Sequence, residues 1–298
     1  MRIKEIEATS IMTPSRLPDA DFVINAYMGC HFGCLYCYAS FMGRFIRAKS
    51  GGPEPISEWG NYVYVKTNAA KLATQELGVW KQKRPQLLRS TVLMSSVTDP
   101  YQGIEAKYRL TRSILAAFVE AEFPGVLGVL TKSAMVTRDI DLLKRLPNAD
   151  VGVTVTTSDD EVSRFLEIRA PLASRRIETL RRLNAAGIPT YAFVGPLLPH
   201  FLHRPDLLDD LFARLKDVGV RQVYIEHMNL RTNNTRQRLF QVLTNASVGV
   251  KEAYATASRE DHREALDAIV TDLLAKHGLN IRLGGVLRHN QPSKGTRG

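Results

Sequence analysis

Along most of the chain, short apolar runs alternate with segments whose apolar residues recur at the spacing of an α-helix. Six runs rich in β-branched, aromatic or other apolar residues are candidate strands, at 21–27, 91–96, 125–130, 151–156, 190–194 and 222–226. Between the last two, apolar residues recur at helical spacing from Leu208 to Leu215, and Gly219 follows where a cap glycine is expected. This alternation predicts an α/β fold with a parallel sheet, either closed into a barrel or left open and doubly wound.

The composition is that of an ordinary globular protein of one large domain or two small ones. Of 298 residues, 44% are hydrophobic and 23% are charged, which excludes a disordered, collagenous or coiled-coil chain. The longest mostly apolar stretch, 188–199, is shorter than the roughly 20 residues of a membrane-spanning helix. The first residues lack the apolar region of a secretory signal. We therefore expect a cytoplasmic protein without a membrane partner.

Further segments complete the predicted organisation. Apolar stripes at 177–183 and 104–118 predict two more helices, and 266–274 predicts another near the end of the chain. The glycine- and proline-rich stretch 51–55 indicates an insertion, 281–286 is a candidate final strand, and 293–298 is typical of a frayed basic tail.

All three cysteines of the chain, Cys30, Cys34 and Cys37, lie within eight residues, directly after the first predicted strand. An odd number so closely spaced does not form a disulfide framework, so metal binding is favoured over accidental clustering. Thiolates are soft ligands, and three on one loop hold three corners of a 4Fe-4S cluster and leave one iron open. A zinc site that includes His31 is the alternative.

This C-x3-C-x2-C loop, with the aromatic Tyr36 before the third cysteine, strongly resembles the hallmark of the radical S-adenosylmethionine (SAM) superfamily. The resemblance implies a partial (β/α)6 TIM-type barrel over 1–235, with a C-terminal helical extension, 236–298, that packs on or closes it. It also implies a 4Fe-4S cluster, SAM as second cofactor, Tyr36 on the cofactor side, and an external one-electron donor such as flavodoxin or ferredoxin. Such enzymes cleave SAM reductively to a 5'-deoxyadenosyl radical.

Ligands of parallel α/β folds bind at the carboxyl ends of the strands, so the residues after each strand are candidates for the cofactor site. The resemblance implies that the methionine ammonium of SAM binds after the second strand, and that its carboxylate binds after the third strand or near Arg169. The ribose hydroxyls would bind at the fourth strand and the adenine after the fifth. The cofactor-binding candidates are Ser96, Thr98, Asp99, Lys132, Thr154, Thr156, Ser158, Arg169 and Gly195. The alternatives are Asp99 as a helix N-cap, Lys132 in solvent, and ordinary strand threonines.

Residues 98–102 and 131–133, together with the cysteine loop, resemble the spore photoproduct lyase-like branch of the superfamily. Members that repair the thymine dimer use an additional cysteine near the end of the second strand as hydrogen donor, and this chain has 93–96 without one. A tyrosine, Tyr101 or Tyr224, or SAM itself would then close the radical cycle. Glu226 and His227, at the end of the sixth strand, are the other catalytic candidates.

The substrate class stays open at this level. The surplus of 40 basic over 30 acidic residues gives a net charge of +10, and 231–238 carries three arginines, which favours a polyanion. The lost thiol favours instead a small organic substrate from which the radical abstracts hydrogen. Repair of a DNA or RNA lesion is the alternative function, and a non-enzymatic iron-sulfur or zinc protein is the second alternative.

Overall fold

The structure is a computed structural model that describes residues 1–46, 52–230 and 233–288. The chain forms two compact units. The first unit comprises Met1–Gly33, Ala39–Gly152 and Ala185–Pro189. The second comprises Cys34–Tyr38, Val153–Asn184 and Thr190–Gly298, of which the described part is used below.

The first unit holds most of the amino-terminal strands and four helices. Its strands are β1 (Arg2–Ile6), β2 (Met12–Pro14), β3 (Phe22–Ile24), β4 (Tyr27–Met28), β5 (Tyr62–Lys66), β6 (Thr91–Met94) and β7 (Val126–Thr131). Its helices are α1 (Ala69–Lys83), α2 (Glu105–Tyr108), α3 (Leu110–Glu120) and α4 (Ile140–Leu143). The strand β8 (Ala149–Thr154) has residues in both units.

The second unit holds the remaining strands and the carboxyl-terminal helices. Its strands are β9 (Thr190–Leu197), β10 (Gln222–His227) and β11 (Asn280–Ile281). Its helices are α5 (Asp160–Glu167), α6 (Ala173–Ala185), α7 (Pro205–Asp217), α8 (Asn233–Val242), α9 (Val248–Thr256) and α10 (Glu260–His277). Short 3-10 helices occur at Tyr38–Phe45, Ile56–Glu58, Pro85–Arg89, Ala134–Asp139, Pro199–Leu202, Leu243–Asn245 and Arg282–Gly284.

The main sheet confirms the predicted fold class. Its strand order is β2-β3-β6-β7-β8 in the first unit and β8-β9-β10-β11 in the second, with β2 and β11 as edge strands, so the sheet is open. The pairs β3–β6, β6–β7, β9–β10 and β10–β11 are parallel, and β2 pairs with β3 in the antiparallel direction. The fold is thus α/β with an open, largely parallel sheet, as the prediction of a partial barrel requires, and each of the six predicted core strands is present with shifted ends.

The strand predicted at 21–27 is divided between two sheets. Its first part, β3, joins the main sheet, whereas β4 pairs with β5 in a separate sheet of order β1-β5-β4. Asn25 and Ala26 lie between the two parts. The side chain of Asn25 explains part of the break, since its amide oxygen accepts hydrogen bonds from the backbone of Ser96 and Val97.

The helix predicted over 104–118 is two helices, α2 and α3, separated at Arg109, whose φ is +51°. The carboxylate of Glu105 accepts from the backbone N–H groups of Thr111 at 3.1 Å and Arg112 at 3.3 Å. It therefore satisfies amide groups of the first turn of α3, which have no intrahelical acceptor. The hydroxyl of buried Tyr27 donates to the same carboxylate.

The carboxyl-terminal segment contributes to the second unit. Its last strand, β11, is shorter than the predicted 281–286, because a 3-10 turn begins at Arg282 and Leu283 has a φ of +60°. The boundary predicted at residue 235 stays a prediction, and the tail 293–298 lies outside the described residues, as does Gly51 of the predicted insertion. Within the described ranges, no helix combines the length and apolarity needed to cross a membrane.

Candidate active site

The cysteine loop begins with a turn that requires glycine. Gly29 has a φ of +84°, and a Cβ at this position would lie 2.5 Å from the carbonyl oxygen of Tyr62. Both the left-handed backbone and the close approach exclude a side chain. Cys30 follows directly and is buried. The chain therefore enters the loop in a fixed direction.

Two side chains from the segment after β6 hold the start of the loop. Thr98 donates from its hydroxyl to the carbonyl oxygen of Gly29 at 2.6 Å. Gln102 donates to the same oxygen at 3.3 Å and accepts from the backbone N–H of His31 at 2.8 Å. Gln102 also donates to the Thr98 hydroxyl at 3.0 Å. The structure thus uses the Thr98 hydroxyl proton to position the loop, and its predicted contact with SAM stays a prediction.

Asp99 joins the ends of two neighbouring strands. Its Oδ1 accepts from the Thr131 hydroxyl at 2.7 Å and from the Tyr101 backbone at 2.9 Å, and Oδ2 accepts from the Lys132 backbone at 2.8 Å. Burial raises the pKa of Asp99, and these hydrogen bonds oppose that rise. The alternative of Asp99 as a helix N-cap is wrong, because α2 begins only at Glu105 and Asp99 instead connects the segment after β6 to the end of β7. Its predicted role toward the methionine ammonium is untested.

The other first-unit candidates occupy different environments. Ser96 is half-buried, and its hydroxyl accepts from the Asn25 amide at 3.3 Å. Lys132 is half-buried after β7. Tyr101 is fully buried, and burial followed by the charges of Asp139 and Glu105 raises its pKa. A catalytic role for Tyr101 stays a prediction, and it would require a path to a hydroxyl that solvent does not reach.

The end of the cysteine loop lies in the second unit, over a buried ion pair. The hydroxyl of Tyr36 donates to the carboxylate of Glu167, which is paired with Arg176. The Glu167 and Arg176 side chains are 1% and 0% exposed. We call Tyr36, Glu167 and Arg176 the Tyr36 triad. Burial raises the pKa of the Tyr36 hydroxyl, and the negative charge of Glu167 raises it further, so this tyrosine stays protonated.

The fourth-strand candidates separate in the structure. Thr154 ends β8 and is buried, and its carbonyl oxygen accepts from Arg176 at 3.3 Å. Thr156 is 1% exposed, and its hydroxyl donates to Glu167 at 3.2 Å. Ser158 is half-buried. Burial of Asp210 in α7 would raise the pKa of that carboxyl, and a hydrogen bond from Ser158 lowers it. The predicted ribose contacts of the three residues are untested, and Thr156 has a structural partner.

Charged groups of the second unit surround the third cysteine. Desolvation, followed by the charges of Cys37 and Glu226, raises the pKa of Tyr38. Burial lowers the pKa of half-buried Arg238, and the charges of Cys37 and Cys34 oppose this change. Arg238, assigned from sequence to a polyanion, therefore lies near Cys34 and Cys37, and Glu226, a predicted catalytic residue, lies near Tyr38. Arg169 is exposed after α5.

Aromatic rings cover one face of β9 and β10. The ring of Phe193 lies 5.0 Å from that of Tyr224, and Tyr191 lies 6.5 Å from Tyr224 on the other side. A Cβ at Gly195, the predicted adenine contact, would lie 2.0 Å from the Phe193 ring. Tyr224 is 8% exposed. Gly195 and Tyr224 thus share one aromatic surface.

His227 is held by the carboxyl-terminal helix. Its Nε2 lies 2.7 Å from Oδ1 of Asp267 in α10, whose other oxygen pairs with Arg288. Its backbone N–H donates to Leu287 at 3.0 Å. The ring is 3% exposed. A satisfied, buried histidine is the ordinary structural arrangement, and catalysis by His227 remains a prediction.

The three cysteines form no disulfide. Cys30 and Cys34 are buried and Cys37 is half-buried. Among the described residues, no three side chains of His, Cys, Asp or Glu converge as ligands of a single metal ion. Each thiolate would bind a different iron of a four-iron cluster, so a cluster does not require that convergence.

A comparison with known families decides the class of this protein. The model of the radical SAM superfamily matches residues 24–201, which include the cysteine loop and most of the sheet. The chain belongs to the radical SAM superfamily. Membership supports an enzyme that uses radical chemistry, and the predicted resemblance is confirmed.

Sequence relatives of this radical SAM protein come from distant sources. An uncharacterized protein of Methanocaldococcus jannaschii is 34% identical over 202 residues, 68% of this chain and 70% of the relative. An uncharacterized protein of Mycobacterium tuberculosis is 29% identical over 87% of this chain and 75% of the relative. A radical SAM Nalpha-GlyT isomerase of Pseudomonas phage M6 is 29% identical over 66% of this chain and 37% of its own length.

Solved structures show the same fold. A spore photoproduct lyase complexed with dinucleoside spore photoproduct aligns with a TM-score of 0.66 at 15% identity, over 96% of this chain and 82% of the lyase. Streptococcus suis SuiB bound to S-adenosylmethionine aligns with a TM-score of 0.55 at 12% identity, over 90% of this chain and 50% of SuiB. At these identities the likeness concerns the fold.

Proposed function

We propose that this radical SAM protein uses a 4Fe-4S cluster and SAM to abstract hydrogen from an organic substrate. The observation that carries the proposal is the set of three cysteines in the superfamily's loop, with a family match that spans it. When bound, the cluster supplies the electron that breaks a carbon–sulfur bond of SAM and yields a 5'-deoxyadenosyl radical.

The donor set of the loop fits this cofactor. Cys30, Cys34 and Cys37 would each hold one iron, and soft thiolates are the ligands that iron-sulfur clusters select. The burial of Cys30 and Cys34 excludes water from two of the ligand positions. Hydrogen bonds with Thr98 and Gln102 hold the start of the loop in place.

The chain offers defined groups for SAM and substrate. Lys132 is our candidate for the methionine carboxylate, because it follows β7 at the ligand end of the sheet. Gly195 and the aromatic surface around it suit the adenine. Glu226 lies near Tyr38, the residue after Cys37, and is our candidate to bind or deprotonate substrate. Tyr224 is the candidate hydrogen donor.

The test is anaerobic reconstitution with iron and sulfide, followed by reduction with dithionite in the presence of SAM. We expect about four irons per chain and release of 5'-deoxyadenosine and methionine. Alanine at Cys30, Cys34 or Cys37 should abolish the cluster. Stoichiometric zinc without SAM cleavage, or an alanine variant that keeps a stable four-iron cluster, would contradict the proposal.

Nucleic acid is the second candidate substrate, and the net charge of +10 is the observation that favours it. Binding to a polyanion should weaken steeply with salt, because each neutralised phosphate releases counterions. Arg236 is exposed on α8, so Arg236→Glu should reduce that slope. If DNA and RNA bind weakly and Arg236→Glu does not change this binding, the result would exclude nucleic acid and favour a small organic substrate.

A further inference from the structure

Two hydrogen bonds join the end of the cysteine loop to the end of α5. The segment Cys34–Tyr38 carries the second and third cysteines, and Tyr36 lies between them. The backbone N–H of Leu35 donates to the carbonyl oxygen of Leu166 at 2.9 Å. The hydroxyl of Tyr36 donates to Glu167, the next residue of the same helix. The segment is therefore attached to α5 through backbone and side chain at adjacent positions.

The carboxylate that receives Tyr36 has a full set of donors. One oxygen accepts from Tyr36 and from Thr156, and the other accepts from Ser163 at 3.2 Å and from Arg176. An ionised carboxylate offers about four acceptor sites, and all are used here. Because Glu167 is 1% exposed, water does not replace a lost donor. The other three donors hold the Glu167 carboxylate in place, and the carboxylate in turn fixes the position of the Tyr36 hydroxyl.

Arg176 fixes the carboxylate in turn. Its Nε donates to the carbonyl oxygen of Pro171 at 2.7 Å, and one terminal nitrogen donates to the carbonyl oxygen of Thr154 at 3.3 Å. The other donates to Ser163 at 3.0 Å as well as to Glu167. The ion pair is therefore connected to the end of β8 and to the loop that precedes α6.

A fully buried ion pair is an expensive way to stabilise a fold. Removing two charges from water costs several kcal/mol per ion, and the attraction between them often only offsets that cost. An apolar pair of similar volume would fill the space, but it would give the Tyr36 hydroxyl no acceptor. What the ion pair supplies is a fixed acceptor beneath the cysteine segment.

We propose that Glu167 and Arg176 are positioning residues for the second and third cysteines, and that they act through Tyr36. The Tyr36 triad holds Cys34–Tyr38 in the conformation that presents both thiols, before any metal is bound. The inference rests on the proposed function, because it takes Cys34 and Cys37 as cluster ligands. Neither Glu167 nor Arg176 touches a cofactor in this role.

The experiment compares cysteine reactivity in the metal-free full-length chain. Cys34 is 6% exposed, so alkylation by iodoacetamide requires the segment to open. Tyr36→Phe removes one oxygen atom and should speed alkylation of Cys34 at least about tenfold, since a hydrogen bond to a charged carboxylate is lost. The exchange of the Leu35 amide should speed in parallel. Cys30, at the other end of the loop, should keep its rate.

Two matched variants separate positioning from general loosening. Tyr27→Phe removes the same atom from a buried tyrosine that donates to Glu105 in the first unit. Ser163→Ala removes a donor from Glu167 without touching the segment. Tyr27→Phe should leave the Cys34 rate unchanged, and Ser163→Ala should raise it less than Tyr36→Phe does, because Thr156 and Arg176 still hold the carboxylate. Wild-type rates in Tyr36→Phe, or an equal increase at all three cysteines, would overturn the proposal.

A charge variant tests the ion pair itself. Glu167→Gln keeps one carbonyl oxygen but removes the charge, so the Cys34 rate should lie between those of the wild type and Tyr36→Phe. Circular dichroism confirms that the variant is folded. A folded Glu167→Gln protein with the wild-type rate would show that the ion pair does not position the segment.

Iron retention separates this inference from the proposed function. After reconstitution, Tyr36→Phe should lose iron to a chelator faster than Tyr27→Phe does. A wild type that takes up no iron refutes the proposed function, whereas the metal-free alkylation rates still decide the positioning of the segment. A wild type that holds iron, with the same rate of loss in all variants, refutes the positioning role.

Discussion

Two buried tyrosine–glutamate–arginine triads stand at the two ends of the cysteine loop in sequence. The first consists of Tyr27, Glu105 and Arg138 in the first unit, and we call it the Tyr27 triad; the second is the Tyr36 triad. Tyr27 precedes Cys30 by three residues, and Tyr36 directly precedes Cys37. In both, burial followed by the charge of the glutamate raises the pKa of the tyrosine.

The two triads differ in how completely their arginine is enclosed. The Arg176 side chain is 0% exposed, whereas that of Arg138 is 26% exposed and also pairs with Asp139 at 2.8 Å. Glu105 has a second task, since it caps α3. The same three residue types thus serve a helix start in one unit and the cysteine segment in the other. The residues around a triad, rather than its composition, determine what it does.

The largest expected difference concerns the arginines. Arg176→Met leaves Glu167 buried without its ion-pair partner, so the free energy of unfolding should fall by about 3–5 kcal/mol. Arg138→Met should cost roughly half as much or less, because the Arg138 side chain is partly exposed and Glu105 keeps its backbone and Tyr27 donors. Urea unfolding measures both. Equal losses would show that enclosure does not distinguish the triads.

Acid should destabilise the second unit through its buried residue His200. Burial, followed by the charge of Arg204, lowers the pKa of His200 from 6.5 to about 4. Between these pH values the unfolded chain binds more protons than the folded protein, so the free energy of unfolding decreases as the pH falls. The loss should reach about 2–3 kcal/mol at pH 4.

His200→Gln is the control for this window. His200 lies 3.3 Å from the Tyr254 hydroxyl, which a glutamine also reaches as a hydrogen-bond partner. The variant should lose the decrease in stability between pH 6.5 and 4 that wild type shows. An unchanged pH profile of unfolding would assign acid sensitivity to other groups.

The smallest expected effect concerns the capping task of the Tyr27 triad. Glu105→Gln weakens the acceptor of the α3 amides and should cost about 1 kcal/mol, in the range of a lost helix cap. Amide exchange at Thr111 and Arg112 should become faster, while that at Leu35 is unchanged. An increase at Leu35 would mean that both triads act on the cysteine segment.

The sequence predicted the sheet well because its evidence is local. Apolar strands and helical stripes such as Leu208–Leu215 need only their own spacing, and all six core strands are present. The break between α2 and α3 was missed, because it depends on the side chain of Glu105 and on a left-handed Arg109. The exposed strand β1 and the short β2 lack the apolar runs on which the prediction relied.

The sequence predicts the cysteine loop, but it does not predict the residues whose hydrogen bonds hold that loop in place. Spacing and the aromatic Tyr36 identify the loop, but Tyr36 and Glu167 are 131 residues apart in the chain. The alternation of Thr154 and Thr156 predicts ribose contacts, whereas no sequence pattern indicates that Thr156 donates to Glu167. Gln102 and Asn25 were also missed, since a single amide side chain carries no periodic signal.

The absence of a side chain at Gly195 shapes the aromatic surface of the second unit. The Phe193 ring occupies the volume that a Cβ would need, at 2.0 Å, and it lies against Tyr224. A methyl group at this position would have to displace the ring. Residue 195 is therefore a backbone position at which one added methyl group would move an aromatic ring of the second unit while the strand itself stays in place.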